Sequence, residues 1–492
     1  MTPPVVRAYR PADDAALSAF DERVVTDPAR MSLLQRAHAV NGLWVAEVDG
    51  RVAGYLARTL DFYGREFIAL VVVDQALRRR GRLRRDRHRS ANTIDPTMER
   101  LAQLARIGGS SSGGVTRAGL GRDEQHACEL VASWMAEDGL EVSWDAAGNL
   151  FGRRRGSDPD APEVWSGSHL DSVPEGGRFD GSLGVLVALE AVRRLAHEPV
   201  PATLAVCVFR DEEGCRFGRG TFGSRAVCGR LSEADLDLTD ADGTTVRAAL
   251  SALGFMGLRA PRSSLPGSFV EVHVEQGPVL ERAGVPLAAV TAITGMAGFD
   301  VRFHGESGHA GTLPMAGRRD AFLAAAAFAL ALRDEALRLG NAVATVGDVR
   351  IIGGAANVVP SRVEVTVDIR APTLETLTAI AAAAPRLARE VGFEADIEQV
   401  SFDPPVPLST HVQGALREAA HAEGAAILDL GSGAGHDAGI LAAAGVEAGM
   451  LFVRSRNGGV SHRPEELTDE ADVATAAAVL TRTLRALCGS LA

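Results

Sequence analysis

Beyond residue 140 the chain alternates short β-rich runs with helical ones, and this alternation limits its fold more than any other feature. EVSWDAAGNLFGR, EVWSGSHLD, TLAVCVF and FVEVHVEQG read as strands, and LGVLVALEAVRRLA among them has helical spacing. Strands separated by helices build α/β folds with a largely parallel sheet. Upstream, TIDPTMERLAQLARIG predicts a helix with Asp95 and Pro96 as its start signal, and DEQHACELVASWMAEDG a second that stops at Gly139. Around Gly295 the pattern restarts with GFDVRFHG, a long Ala-rich helix, RVEVTVDIR and another helix to about Glu390. Two strand–helix units in succession predict a smaller inserted α+β domain. Residues 405–492 then return to the strand-turn-helix style of the main domain.

The first 90 residues have a different composition. They hold all three tyrosines (Tyr9, Tyr55, Tyr63) and carry 16 Arg against 11 Asp+Glu, in a chain whose net charge is -12. The remainder is therefore strongly acidic, which argues against nucleic-acid binding. The junction is an arginine run from Arg78 to Arg89, read as a solvated linker, with a polyanion contact as the sharper alternative. All 51 cationic side chains are arginine. Without lysine, Schiff-base chemistry, a Walker phosphate site, a Ser-Lys dyad and a carbamylated-lysine metal bridge are all excluded. Five cysteines without paired spacing predict reduced thiols, and neither a signal peptide nor a membrane span is legible. The expectation is a cytoplasmic protein without membrane attachment.

The densest polar cluster is GSHLDSVPEGGRFDGSLG. His169 and Asp171 at i and i+2 point the same way on a strand, and a glycine-rich loop delivers Asp180 to the start of a helix. Imidazole and carboxylate suit a divalent ion such as zinc, with Asp171 fixing the tautomer of His169. The bland alternative is a polar turn with Asp180 as helix N-cap. In VCVFRDEEGCRFG, Glu212 and Glu213 follow an apolar strand, so one can serve a metal while the other stays free as a general base. His273 and His462 lie in similar strand-loop settings beside glycines and carboxylates, where α/β active sites gather. A lone histidine in an apolar strand is more often a core residue. Together, though, His169, Asp180, Glu213, His273 and His462 supply five ligands, enough for two ions sharing Asp180.

The ordered segments GSHLDSVPEGGRFDG, DEEGCRFG, HVEQGPVLE, GHAGTLPM, GGAANVVPSRVEVTVDIR, GAGHDA and GVSHRPEE resemble the hydantoinase/carbamoylase branch of the M20 metallopeptidase family. The resemblance covers roughly residues 91–490. It implies a di-zinc exopeptidase-like catalytic domain in two parts, 91–292 and 405–492, interrupted by a dimerisation (lid) domain at 293–404. It also implies a homodimer and two divalent ions per subunit: zinc, with manganese, cobalt or nickel as alternatives. His169, Asp180, Glu213, His273 and His462 match the family's metal ligands, with Asp180 bridging. Glu212 matches the general acid/base and Asp171 the carboxylate behind His169. His309 matches a histidine that reaches the partner subunit's active site. Gln276, Asn357 and Arg370 match substrate-holding residues, Arg370 on the carboxylate, a task that suits its bidentate fork. His436, in the same branch's GAGHDA segment, is read as a substrate-loop residue, with a structural turn as the alternative. The implied reaction is hydrolysis of the ureido C–N bond of an N-carbamoyl-L-amino acid. Allantoate amidohydrolase or β-ureidopropionase chemistry is the alternative within the branch, and an M20 dipeptidase or aminoacylase the next. A non-catalytic binding module is the rival from another class, and the retained Glu212 weighs against it. The missing lysine excludes the barrel-fold hydantoinases, which act on neighbouring substrates.

Residues 1–90, with VRAYRPADDAALSAF, LWVAEVDGRVAGYLA and FIALVVVDQALRRRGR, are similar to the first half of a GNAT acetyltransferase. Arg78, Gly81 and Leu83 fall on that family's pyrophosphate-binding turn, where Leu83 replaces a small residue. The second half is missing, so a short α+β remnant is expected.

Overall fold

In the computed structural model the chain divides into two units, Met1–Ile94 and Asp95–Ala492. Residues 5–10, 13, 43–48, 51–60, 66–73, 96–255, 257, 265–392 and 394–490 are described. In the first unit, β1 (Val5–Ala8), β2 (Leu43–Val48), β3 (Arg51–Leu60) and β4 (Glu66–Val73) form an antiparallel sheet in sequence order. Val48 pairs with Arg51, so the β2–β3 link is the dipeptide Asp49-Gly50, a strong hairpin signal. The arginine run and the turn at Arg78, Gly81 and Leu83 lie outside the described residues.

The second unit begins with α1 (Pro96–Leu104) and α2 (Arg122–Glu137), then β5 (Glu141–Trp144), β6 (Leu150–Arg154), β7 (Val164–His169), α3 (Ser182–Arg194) and β8 (Leu204–Phe209). β9 (Ser268–Val274) and β10 (Leu287–Ile293) follow. Next come β11 (Gly295–His304), β12 (Gly308–His309), α4 (Ala321–Leu339), β13 (Val343–Ile352), β14 (Val358–Val359), β15 (Arg362–Ala371), α5 (Leu374–Glu390) and β16 (Glu394–Asp403). The chain closes with β17 (Val406–Pro407), α6 (Thr410–Ala422), β18 (Ile427–Ser432), α7 (Asp437–Ala443), β19 (Glu447–Val453) and α8 (Glu470–Ser490).

The main sheet runs β17-β10-β19-β9-β7-β8-β6-β5, with β18 beside β10. Its four middle strands, β19, β9, β7 and β8, are parallel, while β10 pairs antiparallel with β17 and β19 but parallel with β18, and β6 and β5 pair antiparallel. The sheet is thus mixed, where the strand–helix alternation predicts a largely parallel one. Parallel pairing needs a crossover, which α3 supplies between β7 and β8. No helix separates β5 from β6, so these form a hairpin closed at Asp145, whose carboxylate accepts the Ala147 and Asn149 amides.

Every residue of β7, β8 and β9 is buried, as expected for strands covered on both faces. α3 lies against them with Ser182–Val192 wholly buried. Its approach depends on Gly184, where a Cβ would stand 2.0 Å from the Val272 carbonyl oxygen. The second sheet, β13-β15-β11-β16, is antiparallel, and its buried alternate residues pack under α4 and α5 around Phe299, Phe303 and Phe328. Among the described residues no helix is long and apolar enough to cross a membrane.

Gly184→Val is expected to push α3 off β9 and to cost about 1–3 kcal/mol or more. A urea unfolding midpoint indistinguishable from wild type would contradict that packing.

Candidate active site

The four parallel strands end on one edge of the sheet, and each end or following loop carries a polar side chain to the same place. β7 ends on His169. β8 runs into Glu212 and Glu213, β9 presents His273, and the loop after β19 carries His462. The loop after β7 brings Asp180 among them. The Asp180 carboxylate lies 3.5 Å from His169 Nε2, 3.1 Å from His273 Nε2 and 3.5 Å from His462 Nε2. Asp180 does not cap α3; the N-cap position is Gly181, with positive φ. A Cβ there would collide with the His169 ring, so glycine lets the loop pass beneath the imidazole. His273 Nδ1 lies 2.9 Å from the Val274 carbonyl, which holds its Nε2 toward Asp180.

Glu212 and Glu213 separate through a strained turn. Asp211 has φ of 49°, in the left-handed region, and the next two amides both donate to Asp171, each at 3.0 Å. Glu212 then faces His169 at 3.8 Å, and Glu213 faces His462 at 3.6 Å. Asp171 also lies 3.2 Å from His169 Nδ1. One carboxylate thus orients the first histidine and fixes the backbone of the acidic pair. Behind the turn, buried Glu124 accepts the Asp211 amide and pairs with buried Arg210 at 2.7 Å.

This crowding of buried acids shifts their protonation. Burial, with Asp437, Glu213 and Asp171 adding repulsion, raises the Glu212 carboxyl well above its usual range despite His169. Burial and Asp180 push Glu213 up to about 7. Burial also opposes ionisation of Asp180, but His273, His169 and His462 outweigh it and hold Asp180 well below the usual carboxylate value. Buried acids in such numbers are costly without a cation. Among the described residues buried His169 Nε2 and one Glu213 oxygen have no hydrogen-bond partner, though buried polar atoms are ordinarily paired. The donors of His169, Asp180 and His273 lie within 4.8 Å of one another, as do those of Asp180, Glu213 and His462. Their type and spacing fit divalent metal ions.

Other side chains support this centre, some with a sequence signal and some without. Glu466 accepts the Phe179 and Asp180 amides and the Ser461 hydroxyl, fixing the loop under Asp180. It lies in the SHRPEE segment, yet nothing in its spacing marks it as the partner of residues 287 positions away. Gln276 Nε2 donates to Asp180 at 2.7 Å. Glu271, two residues before His273 on β9, accepts the Ser168 hydroxyl and the Ala438 amide and so holds the start of α7. That Glu-x-His alternation was a usable signal. His436 is buried with its ring 4.5 Å from the His273 ring, and its Nε2 lies 2.9 Å from the Ser432 hydroxyl. Burial and His273 hold it well below the ordinary histidine pKa.

A cavity of about 1280 Å³ opens above this centre. Asp180, Glu212, Glu213, His273, His462 and Gln276 line it, as do His436 and, from β15, Arg370. Arg370 is held by Asp368 at 2.8 Å and by the Gly433 carbonyl at 2.9 Å. His169 lies at 0% exposure beneath the lining. His309 and Asn357 do not line the cavity; both are exposed, on neighbouring segments joined by β12–β14 pairing.

With this geometry in hand, likeness to known proteins is informative. Residues 165–486 match the profile of peptidase family M20/M25/M40. The chain is 41% identical over 400 residues to an N-carbamoyl-L-amino acid amidohydrolase of Geobacillus stearothermophilus, covering 78% of this chain and 96% of that one. It is 35% identical over 387 residues to an allantoate amidohydrolase of Escherichia coli (strain K12), covering 76% and 93%. A solved amidase of the hydantoinase/carbamoylase family from Burkholderia multivorans matches with a TM-score of 0.71 and 34% identity, over 79% of this chain and 96% of that one.

Asp171→Asn is expected to weaken divalent-metal binding about 10- to 100-fold, the usual effect of losing a carboxylate behind a histidine ligand. Chelator competition reads this directly, and an affinity within twofold of wild type would contradict the role given to Asp171.

Proposed function

The chain belongs to peptidase family M20/M25/M40, and from that premise we propose that it cleaves the ureido C–N bond of an N-carbamoyl-L-amino acid, releasing the amino acid, carbon dioxide and ammonia. It is a hydrolase acting on non-peptide C–N bonds. The observation that carries the reading is the cavity in which the Asp180 centre, Glu212 and the Arg370 guanidinium meet. Allantoate also joins a ureido group to a carboxylate and is the nearest alternative substrate, a reading supported by the Escherichia coli relative.

His169, Asp180, Glu213, His273 and His462 would hold a pair of divalent ions, zinc before manganese, cobalt or nickel, with Asp180 shared. When bound, such ions supply Lewis acidity and bring the pKa of water down to about 7. Glu212 takes a proton from the attacking water and delivers it to the leaving nitrogen. Its raised pKa in this buried setting suits a group that must also act as an acid. Arg370 pairs with the substrate carboxylate, while Gln276 and His436 orient the ureido group from the cavity wall, and exposed Asn357, outside its own chain's cavity, does so in the partner subunit beside His309. Buried Asp171 keeps the His169 ring and the Glu212 backbone in register throughout.

His309 polarises the scissile carbonyl as charge develops on its oxygen, and does so in the partner subunit's cavity. Its exposure in its own chain supports this, as does the apolar surface of the smaller domain. There Leu330, Leu337, Val343, Val349 and Ile351 are between 45% and 71% exposed, on α4 and the edge strand β13. An apolar edge of this kind is normally covered. The reading is a homodimer through this domain, which serves as the lid.

The wild-type enzyme is expected to release ammonia from N-carbamoyl-L-amino acids, to stop with a chelator and to recover with added metal. Glu212→Gln should lose about 10²- to 10⁴-fold in kcat while keeping its metal. Near-normal turnover of that variant, or cleavage of dipeptides alone, would contradict the assignment. Mixing inactive Glu212→Gln and His309→Ala subunits should restore roughly a quarter of wild-type activity, since each mixed dimer regains one complete site. No recovery after verified subunit exchange would contradict sharing of His309.

A further inference from the structure

Besides Arg370 the cavity is lined by Arg219 and Arg225, and the proposed reaction gives Arg225 no task. Arg225 lies on the short helix Phe222–Val227, a few residues beyond the turn that carries Glu212 and Glu213. Its Nε donates to the Thr221 hydroxyl at 2.9 Å. Among the described residues its two Nη groups make no hydrogen bond. The nearest acid is Asp403, 4.0 Å from Nη2, beyond hydrogen-bond range. The Arg225 side chain is 17% exposed and lines the cavity, so its Nη groups are open to a ligand there, with Asp403 as their only ion-pair contact among the described residues. The neighbouring arginines are occupied: Arg219 pairs with Asp235, and Arg230 donates to the Ala443 carbonyl.

The register of the smaller sheet places Arg225 relative to Arg370. Met296 of β11 pairs with Arg370 of β15 on one side and with Asp403 of β16 on the other. These three residues form one row across the sheet, and all three line the cavity. Two inter-strand spacings separate Arg370 from Asp403, about 10 Å between their backbones. Arg225 therefore stands at one end of a row whose other end is Arg370. The two guanidinium groups thus line one cavity from opposite ends of that row, an arrangement that offers each of two substrate carboxylates its own partner at about 2.8 Å.

We propose that Arg225 is a second anion subsite, and that the preferred substrates are N-carbamoyl derivatives of dicarboxylic amino acids, of the aspartate and glutamate class. This rests on the reading of Arg370 as the anchor for the α-carboxylate. Asp403, half exposed at the end of β16, occupies the same neighbourhood and competes with the incoming side-chain carboxylate. An uncharged substrate side chain leaves the Arg225 donors unpaired; an acidic one satisfies them.

The test compares each acid with its own amide, which matches it in size. Ammonia release from N-carbamoyl-L-glutamate and N-carbamoyl-L-glutamine, and from the aspartate and asparagine pair, gives a ratio of kcat/KM values. The wild-type ratio should favour the acid at least tenfold. Arg225→Met should cut that ratio at least tenfold, and Asp403→Asn, at a half-exposed position, should raise it. A wild-type ratio at or below one overturns the proposal, as does an equal fall on acid and amide in Arg225→Met or an unchanged ratio in Asp403→Asn. If no carbamoyl compound releases ammonia, the hydrolase reading beneath the proposal falls too, a result distinct from hydrolysis without acid preference.

Discussion

The Asp180 carboxylate is 4% exposed and faces three imidazoles, and the organisation of the active edge follows from keeping it there. A charge buried so deeply needs compensation from every side. Its backbone amide is bound by Glu466, while its carboxylate accepts hydrogen bonds from Gln276 and Ser461. Those partners come from the segments after β9 and β19, so the loops beyond three parallel strands meet at one side chain. The fourth strand, β8, contributes Glu213 through His462. Four parallel strands ending at a common edge are the simplest way to bring such distant residues together, and the antiparallel strands lie outside them on both flanks.

A chain without lysine must make its buried cationic contacts with arginine, and here the geometry of that side chain is used. Arg117, 1% exposed, reaches the carbonyls of Leu104, Ile107 and Leu170 and the Ser182 hydroxyl. It thereby joins the end of α1, the strand end leading to Asp171 and the start of α3 behind Asp180. A lysine ammonium has three donors and no rigid fork, so it could not span these acceptors. Arg210 does related work with Glu124 behind the Asp211 turn. These contacts explain how two adjacent glutamates can leave one turn toward different histidines.

Much of this was legible because chemistry and periodicity coincided. His169, Glu212 and His273 stand at or just beyond the ends of strands visible as apolar runs, Asp180 follows in a glycine-rich loop, and the helix at Pro96–Leu104 begins where Pro96 predicts. The unread parts act at long range. Glu124, Arg210 and Glu466 lie far in sequence from the residues they hold, and nothing local distinguishes them from ordinary surface charges. Cap chemistry was ambiguous for the same reason: Asp180 has the residue type of a helix cap, and only its neighbours from other segments assign it elsewhere. The antiparallel flanks of the main sheet were likewise hidden, since a β-rich run does not state its direction. Arg225 carries no sequence signal, because its significance lies in the cavity it lines.

The proposed chemistry requires a pair of ion sites sharing Asp180, where two groups of metal-ligating donors overlap. Anomalous diffraction at the zinc absorption edge, on crystals grown with zinc, tests it most directly. The account predicts two peaks, one bounded by His169, His273 and Asp180 and the other by Asp180, Glu213 and His462. Strong peaks elsewhere, with none touching Asp180, would contradict it.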